Sequence, residues 1–100
     1  MIRPERVRRL ALELPGVTEQ DHHGRPSFRV GGRIFATLWD DVHLNVMLEP
    51  QRIESLAAEQ PATCTPRWWG RRLAALQIDL ERAAPGWVAI VLEEGWRRQR

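Results

Sequence analysis

Gly31-Gly32 separates two stretches in which apolar and polar residues alternate, SFRV before it and RIFATLW after it. Alternation with a period of two marks a half-buried strand, and a two-residue glycine break suits a tight hairpin turn. Asp40-Asp41 makes a second break, leading into VHLNVML. A meander of antiparallel strands over residues 27–48 therefore governs the rest of the fold, because its apolar face needs a second layer to cover it.

Three segments carry the helical spacing that can supply that layer. Pro4 has the place of a first helical residue, and Val7, Leu10, Ala11 and Leu14 share one face before Pro15-Gly16 stops the helix. Glu49-Pro50 opens a second helix with Ile53, Leu56 and Ala57 on its stripe. Pro85-Gly86 opens a third, with Val88, Val91, Leu92, Gly95 and Trp96 aligned. Between the last two, a loop through Pro66 leads to LAALQIDL, which reads as a further strand. The expectation is one α+β domain over residues 1–100, with two layers and the helices packed on one face of an antiparallel sheet.

The turns also predict a register. Gly31-Gly32 pairs Phe28 with Phe35, and Asp40-Asp41 pairs Trp39 with Val42 and Phe35 with Val46. One face then holds Phe28, Val30, Phe35, Trp39, Val42, Leu44, Val46 and Leu48 as core. The other presents Arg25, Ser27 and Arg29 beside Ile34, Ala36 and Leu38, with His43, Asn45 and Met47 next to them. An apolar stripe in a cationic frame suits a binding face, and it equally suits a face half covered by the middle helix.

Charge restrains the functional reading more than the isoelectric point suggests. All fifteen basic side chains are arginine, and lysine and tyrosine are absent. Little titrates between histidine and arginine, so a net charge of only +2 carries the isoelectric point to about 9.9. The distribution is more telling. Arginines gather at Arg3, Arg6, Arg8 and Arg9, at Arg67, Arg71 and Arg72, and at Arg97, Arg98 and Arg100, while the remainder is net acidic. Cations suit the end of the last helix but oppose the dipole at the start of the first. The middle cluster frames two adjacent tryptophans in TPRWWGRR. Neighbours on extended chain point to opposite sides. Counting back from Leu76, Ile78 and Leu80 makes Trp68 the buried indole and Trp69 the exposed one, unless Gly70 resets the alternation.

Motifs for chemistry are scarce. Asp21, His22, His23, His43 and Cys64 are metal-ligand types without CxxC, HxxxH or HxxE spacing, so no metal or cofactor is expected. Ser27 and Ser55 are the only serines, neither in a GxSxG context, and no phosphate-binding glycine loop is present. No catalytic residues are assigned. No apolar run approaches the ~20 residues of a membrane span. A lone cysteine fits a reducing cytoplasm.

The segments LELPGV, FRVGGRIFA and LNVMLEP, in an order ending LEEGWRR, resemble the MmcQ/YjbR family of small bacterial proteins, over roughly residues 5–98. The resemblance implies a frataxin-like (CyaY-like) arrangement, DNA binding as the family's usual label, and no shared catalytic motif. Two surfaces remain as candidates. Arg67, Trp69, Arg71 and Arg72 would contact DNA through phosphates and one stacked base. Alternatively, Arg25, Arg29, His43, Asn45 and Met47 would form an open sheet face for a small molecule or a protein partner. Monomer and homodimer both remain open.

Overall fold

A computed structural model describes residues 1–100. The chain runs α1 (Pro4–Leu12), β1 (Thr18–His22), β2 (Arg25–Val30), β3 (Arg33–Asp40), β4 (His43–Val46), α2 (Pro50–Glu59), β5 (Cys64–Trp69), β6 (Arg72–Asp79) and α3 (Pro85–Gln99). The strands form one antiparallel sheet in the order β1-β2-β3-β4-β6-β5. Each helix starts on a proline, at Pro4, Pro50 and Pro85. The ring presets the helical φ where the missing N–H would have had no partner anyway.

The helices lie on one side. α3 packs on β3 with α1 against it, and α2 covers β5 and β6. Phe28, Leu44, Val46, Leu76 and Ile78 from the sheet meet Val7, Ile53, Leu56, Val88 and Leu92 from the helices in one continuous buried cluster. The expected α+β, two-layer architecture is present. No helix is long and apolar enough to cross a membrane.

Two strands appear where no strand was expected. β1 (TEQDH) is exposed along its whole length, and β5 (CTPRWW) occupies the other edge of the sheet. An edge strand tolerates Pro66 because one of its sides needs no N–H donors.

The expected register fails at Phe35. Phe28 pairs with Ala36 and Arg29 with Ile34, which leaves Phe35 as the extra residue of a bulge. Its carbonyl accepts the Met47 N–H at 2.9 Å instead. Phe35 and Ala36 therefore both point inward and are fully buried. Every later side chain of β3 is turned over relative to expectation, since a one-residue shift exchanges the faces. Ala36 and Leu38 join the core, and Thr37 pairs with Asn45 on the opposite face. A second irregularity at Trp39 lets Asp40 pair with His43, so the turn is Asp41-Val42 and not Asp40-Asp41. Trp39, expected in the core, is 39% exposed.

Candidate functional site

The sheet face away from the helices carries a row of uncharged polar residues across all six strands. Successive pairing joins Gln20 to Ser27, Ser27 to Thr37, Thr37 to Asn45, Asn45 to Gln77 and Gln77 to Thr65. Ser27, Thr37 and Asn45 are buried in it. The Ser27 hydroxyl donates to the Gln20 carbonyl at 2.8 Å, and the Gln77 amide donates to Asn45 Oδ1 at 3.2 Å. With its carbonyl oxygen engaged, Asn45 keeps its amide N–H groups for other acceptors.

A cleft of about 720 Å³ crosses this row, with Thr37, Asn45, Ile34 and Met47 in its floor. At one end stand His22, His23, Arg25 and Trp39; at the other, Trp69 and Arg72, with Arg29 among the lining residues. None of the thirteen lining residues is acidic. Arg25, Arg29 and Arg72 take no part in an ion pair, unlike Arg8, Arg52, Arg82, Arg97 and Arg98. Three uncompensated guanidiniums around one cleft repel one another, and an anion relieves that repulsion.

Two of the arginines are tied to indoles. The Arg25 guanidinium lies 3.7 Å from the Trp39 ring centre while its Nε donates to the Trp39 carbonyl. Arg72 lies 5.5 Å from the Trp69 ring centre. Arg29 Nε reaches the Ser27 hydroxyl at 3.4 Å. Tight turns aim the ends of these strands. His23 and Gly24 both have positive φ between β1 and β2, and Gly70 has φ +63° between Trp69 and Arg72. The first pair suits a type I′ hairpin turn.

The two surfaces drawn from the sequence are therefore largely one. Arg25, Arg29, Asn45 and Met47 share the cleft with Trp69 and Arg72. Arg67 is exposed opposite Ala75 on β5, and Arg71 is exposed in the hairpin turn, both outside the cleft lining. His43 is also outside it, held by Asp40 through its Nδ1 at 2.9 Å. Partial burial alone would raise the Asp40 carboxyl, but hydrogen bonds from the Val42 N–H and from His43, with the charge of His43, hold it below its usual range. Met47 is only 7% exposed, so it forms floor and offers little contact area.

The sequence reading missed Trp39, Thr37, His22, His23 and Gln99 as cleft residues. Gln99 comes from the end of α3 and donates to the Ile34 carbonyl at 2.8 Å. The unequal burial expected for Trp68 and Trp69 is also overturned, since they are 57% and 50% exposed. They do diverge. A bulge at Ala74 pairs Trp68 with Leu73, whose side chain enters the core, and Trp69 with Arg72 in the cleft. Trp68 lies at the end of an edge strand where no helix buries it. Cys64, by contrast, is buried under α2, and burial pushes its thiol up to about 11, which keeps it protonated and inert.

Among solved structures, the fold is similar to the crystal structure of Deinococcus radiodurans protein DR2400, which carries the family-model domain DUF419. The match has a TM-score of 0.76 at 20% identity, covering 90% of this chain and 72% of that one. Among curated proteins none matches. The YjbR family model matches residues 12–99, from the end of α1 to the last residue of α3. That span takes in the whole sheet and every residue of the cleft, and the chain belongs to the YjbR family.

Proposed function

We propose that the open sheet face binds single-stranded nucleic acid, DNA in the first instance, with little sequence preference and without catalysis. The observation that carries this reading is a cleft holding two exposed tryptophans and three unpaired arginines with no carboxylate among them. Indoles on a sheet face accept unstacked bases of any identity, and guanidiniums alongside neutralise the phosphates. In a duplex the base faces are already stacked, so the indoles favour single strands.

A net charge of +2 supports only modest attraction, so the affinity belongs in the non-specific range of ~10⁻⁴–10⁻⁶ M at physiological salt. Anisotropy titrations of a labelled oligonucleotide at several salt concentrations test the proposal. Replacing Arg25, Arg29 and Arg72 together by Ala should flatten the log–log salt slope by about 2, from three lost contacts at ~0.7 each. An unchanged slope would rule out this face. A second reading, a single anionic aromatic molecule, is favoured by the cleft's volume of about 720 Å³, within the ~300–1,000 Å³ usual for small-ligand sites. Binding of a mononucleotide as tightly as an oligomer would select it.

A further inference from the structure

The two tryptophans of the cleft are far apart. β4 and β6 lie between β3 and β5, so Trp39 and Trp69 are three strand steps from each other. They are also offset along the strands. Trp39 falls between the Leu38–Leu44 and Asp40–His43 pairs, beside Ile78 and Asp79 of β6, whereas Trp69 pairs with Arg72, at least six positions back along β6. At ~4.8 Å per strand step and ~3.3 Å per residue, the two tryptophans stand on the order of 25 Å apart along the sheet. Each has its own guanidinium, Arg25 for Trp39 and Arg72 for Trp69. Arg29, Thr37 and Asn45 share the cleft with both.

That spacing excludes one nucleotide from touching both indoles. It suits one extended chain. We infer that the cleft is a two-anchor track, in which two bases of the same single strand, several nucleotides apart, stack at Trp39–Arg25 and at Trp69–Arg72. The phosphates between them pass over the Asn45 amide on β4, with Arg29 on β2 flanking the Trp39 end. The inference rests on the nucleic-acid reading above and adds a minimum ligand length to it.

Two weak contacts joined by a linker behave differently from one. A strand too short to span holds a single anchor at a time. Once it spans, the second contact forms within the complex, at a high effective concentration. Affinity should therefore step upward at about four to six nucleotides, near the lower end of the ~4–16 nucleotide sites of sheet-based single-strand binders. Beyond that length it should rise only slowly.

The test is an anisotropy series with labelled oligothymidylates, from a mononucleotide to about a dozen nucleotides. It uses the wild type, Trp69→Ala and Trp39→Leu. The leucine keeps apolar bulk beside Arg25 while removing the ring, and a thermal melt of each variant verifies the fold. The wild type should show the step. Either variant should lose it and bind the longest oligomer about 5- to 150-fold more weakly, the worth of one stacked base. A smooth rise with length, or a step that survives both substitutions, overturns the two-anchor track and leaves single-strand binding standing. Mononucleotide affinity equal to that of the longest oligomer also overturns it. No binding of any oligomer at low salt removes the nucleic-acid reading as well.

Discussion

The guanidinium of Arg25 on β2 covers the ring of Trp39 on β3 at 3.7 Å, and its Nε donates to the carbonyl of that same tryptophan at 2.8 Å. One side chain thus holds both the ring and the backbone of a residue at a strand irregularity. A planar guanidinium can stack and donate sideways together, which an ammonium cannot. Arg25→Ala should lose a cation–π contact of ~0.5–1 kcal/mol and a hydrogen bond of ~0.5–1.5 kcal/mol. Arg25→Lys should recover little of that in urea melts. A lysine variant as stable as wild type would show that charge alone matters here.

The tryptophans divide by burial, but not between the adjacent pair. Trp96 is 7% exposed and its Nε1 donates to the Pro15 carbonyl at 2.8 Å, joining α3 to the segment after α1. Trp96→Ala should cost roughly 3–5 kcal/mol. Trp68→Ala and Trp69→Ala should each stay within about 0.5 kcal/mol of wild type, because neither indole is packed. Denaturant midpoints of the three variants decide it, and a large loss at Trp68 or Trp69 would mean that the hairpin depends on them.

Much of this arrangement is legible in the sequence because local signals agree. Gly31-Gly32 fixes one hairpin, prolines open all three helices, and the stripes of α1, α2 and α3 reach the core as spaced. What was not legible has physical causes. β1 has no apolar face because no residue of it is buried. β5 lies at an edge with Pro66 in its middle. The bulge at Phe35 carries no glycine to mark it, and the Met47 N–H that occupies its carbonyl comes from beyond β4. That one extra residue decides whether Trp39 faces the core or the cleft. The candidate surfaces were legible as pieces, and their union in one cleft was not.

Met47 shows the consequence for a residue assigned to the open face. Its N–H is bonded to Phe35, and its side chain is almost entirely covered. Met47→Glu should cost more than about 2 kcal/mol, because it buries a carboxyl group in the cleft floor, and attraction to the cleft's guanidiniums offsets only part of that desolvation. Met47→Leu, close in volume, should cost less than about 1.5 kcal/mol. Thermal melts of the pair distinguish a floor residue from a contact residue, and equal stability of both would place Met47 in solvent.

Gly95 lies close against the sheet on the inner side of α3. A Cβ built there would lie 2.7 Å from Val46 Cγ1, 3.3 Å from the Phe35 carbonyl and 3.4 Å from the Met47 carbonyl. The Phe35 carbonyl is the acceptor of the backbone hydrogen bond that closes the bulge, and Val46 is fully buried. Within a helix, alanine is favoured over glycine by ~1 kcal/mol. Overpacking of a close core contact costs ~1–3 kcal/mol, so the two effects oppose and the clash should win. Gly95→Ala should therefore lower the denaturant midpoint. Gly86→Ala is the control: a Cβ there meets nothing within 4 Å, so it should hold or raise stability by ~0.4–1 kcal/mol. A Gly95→Ala protein as stable as the Gly86→Ala protein would mean that α3 can lift from β3 and β4 without loss, and that glycine is not what lets the helix lie against the Phe35 bulge.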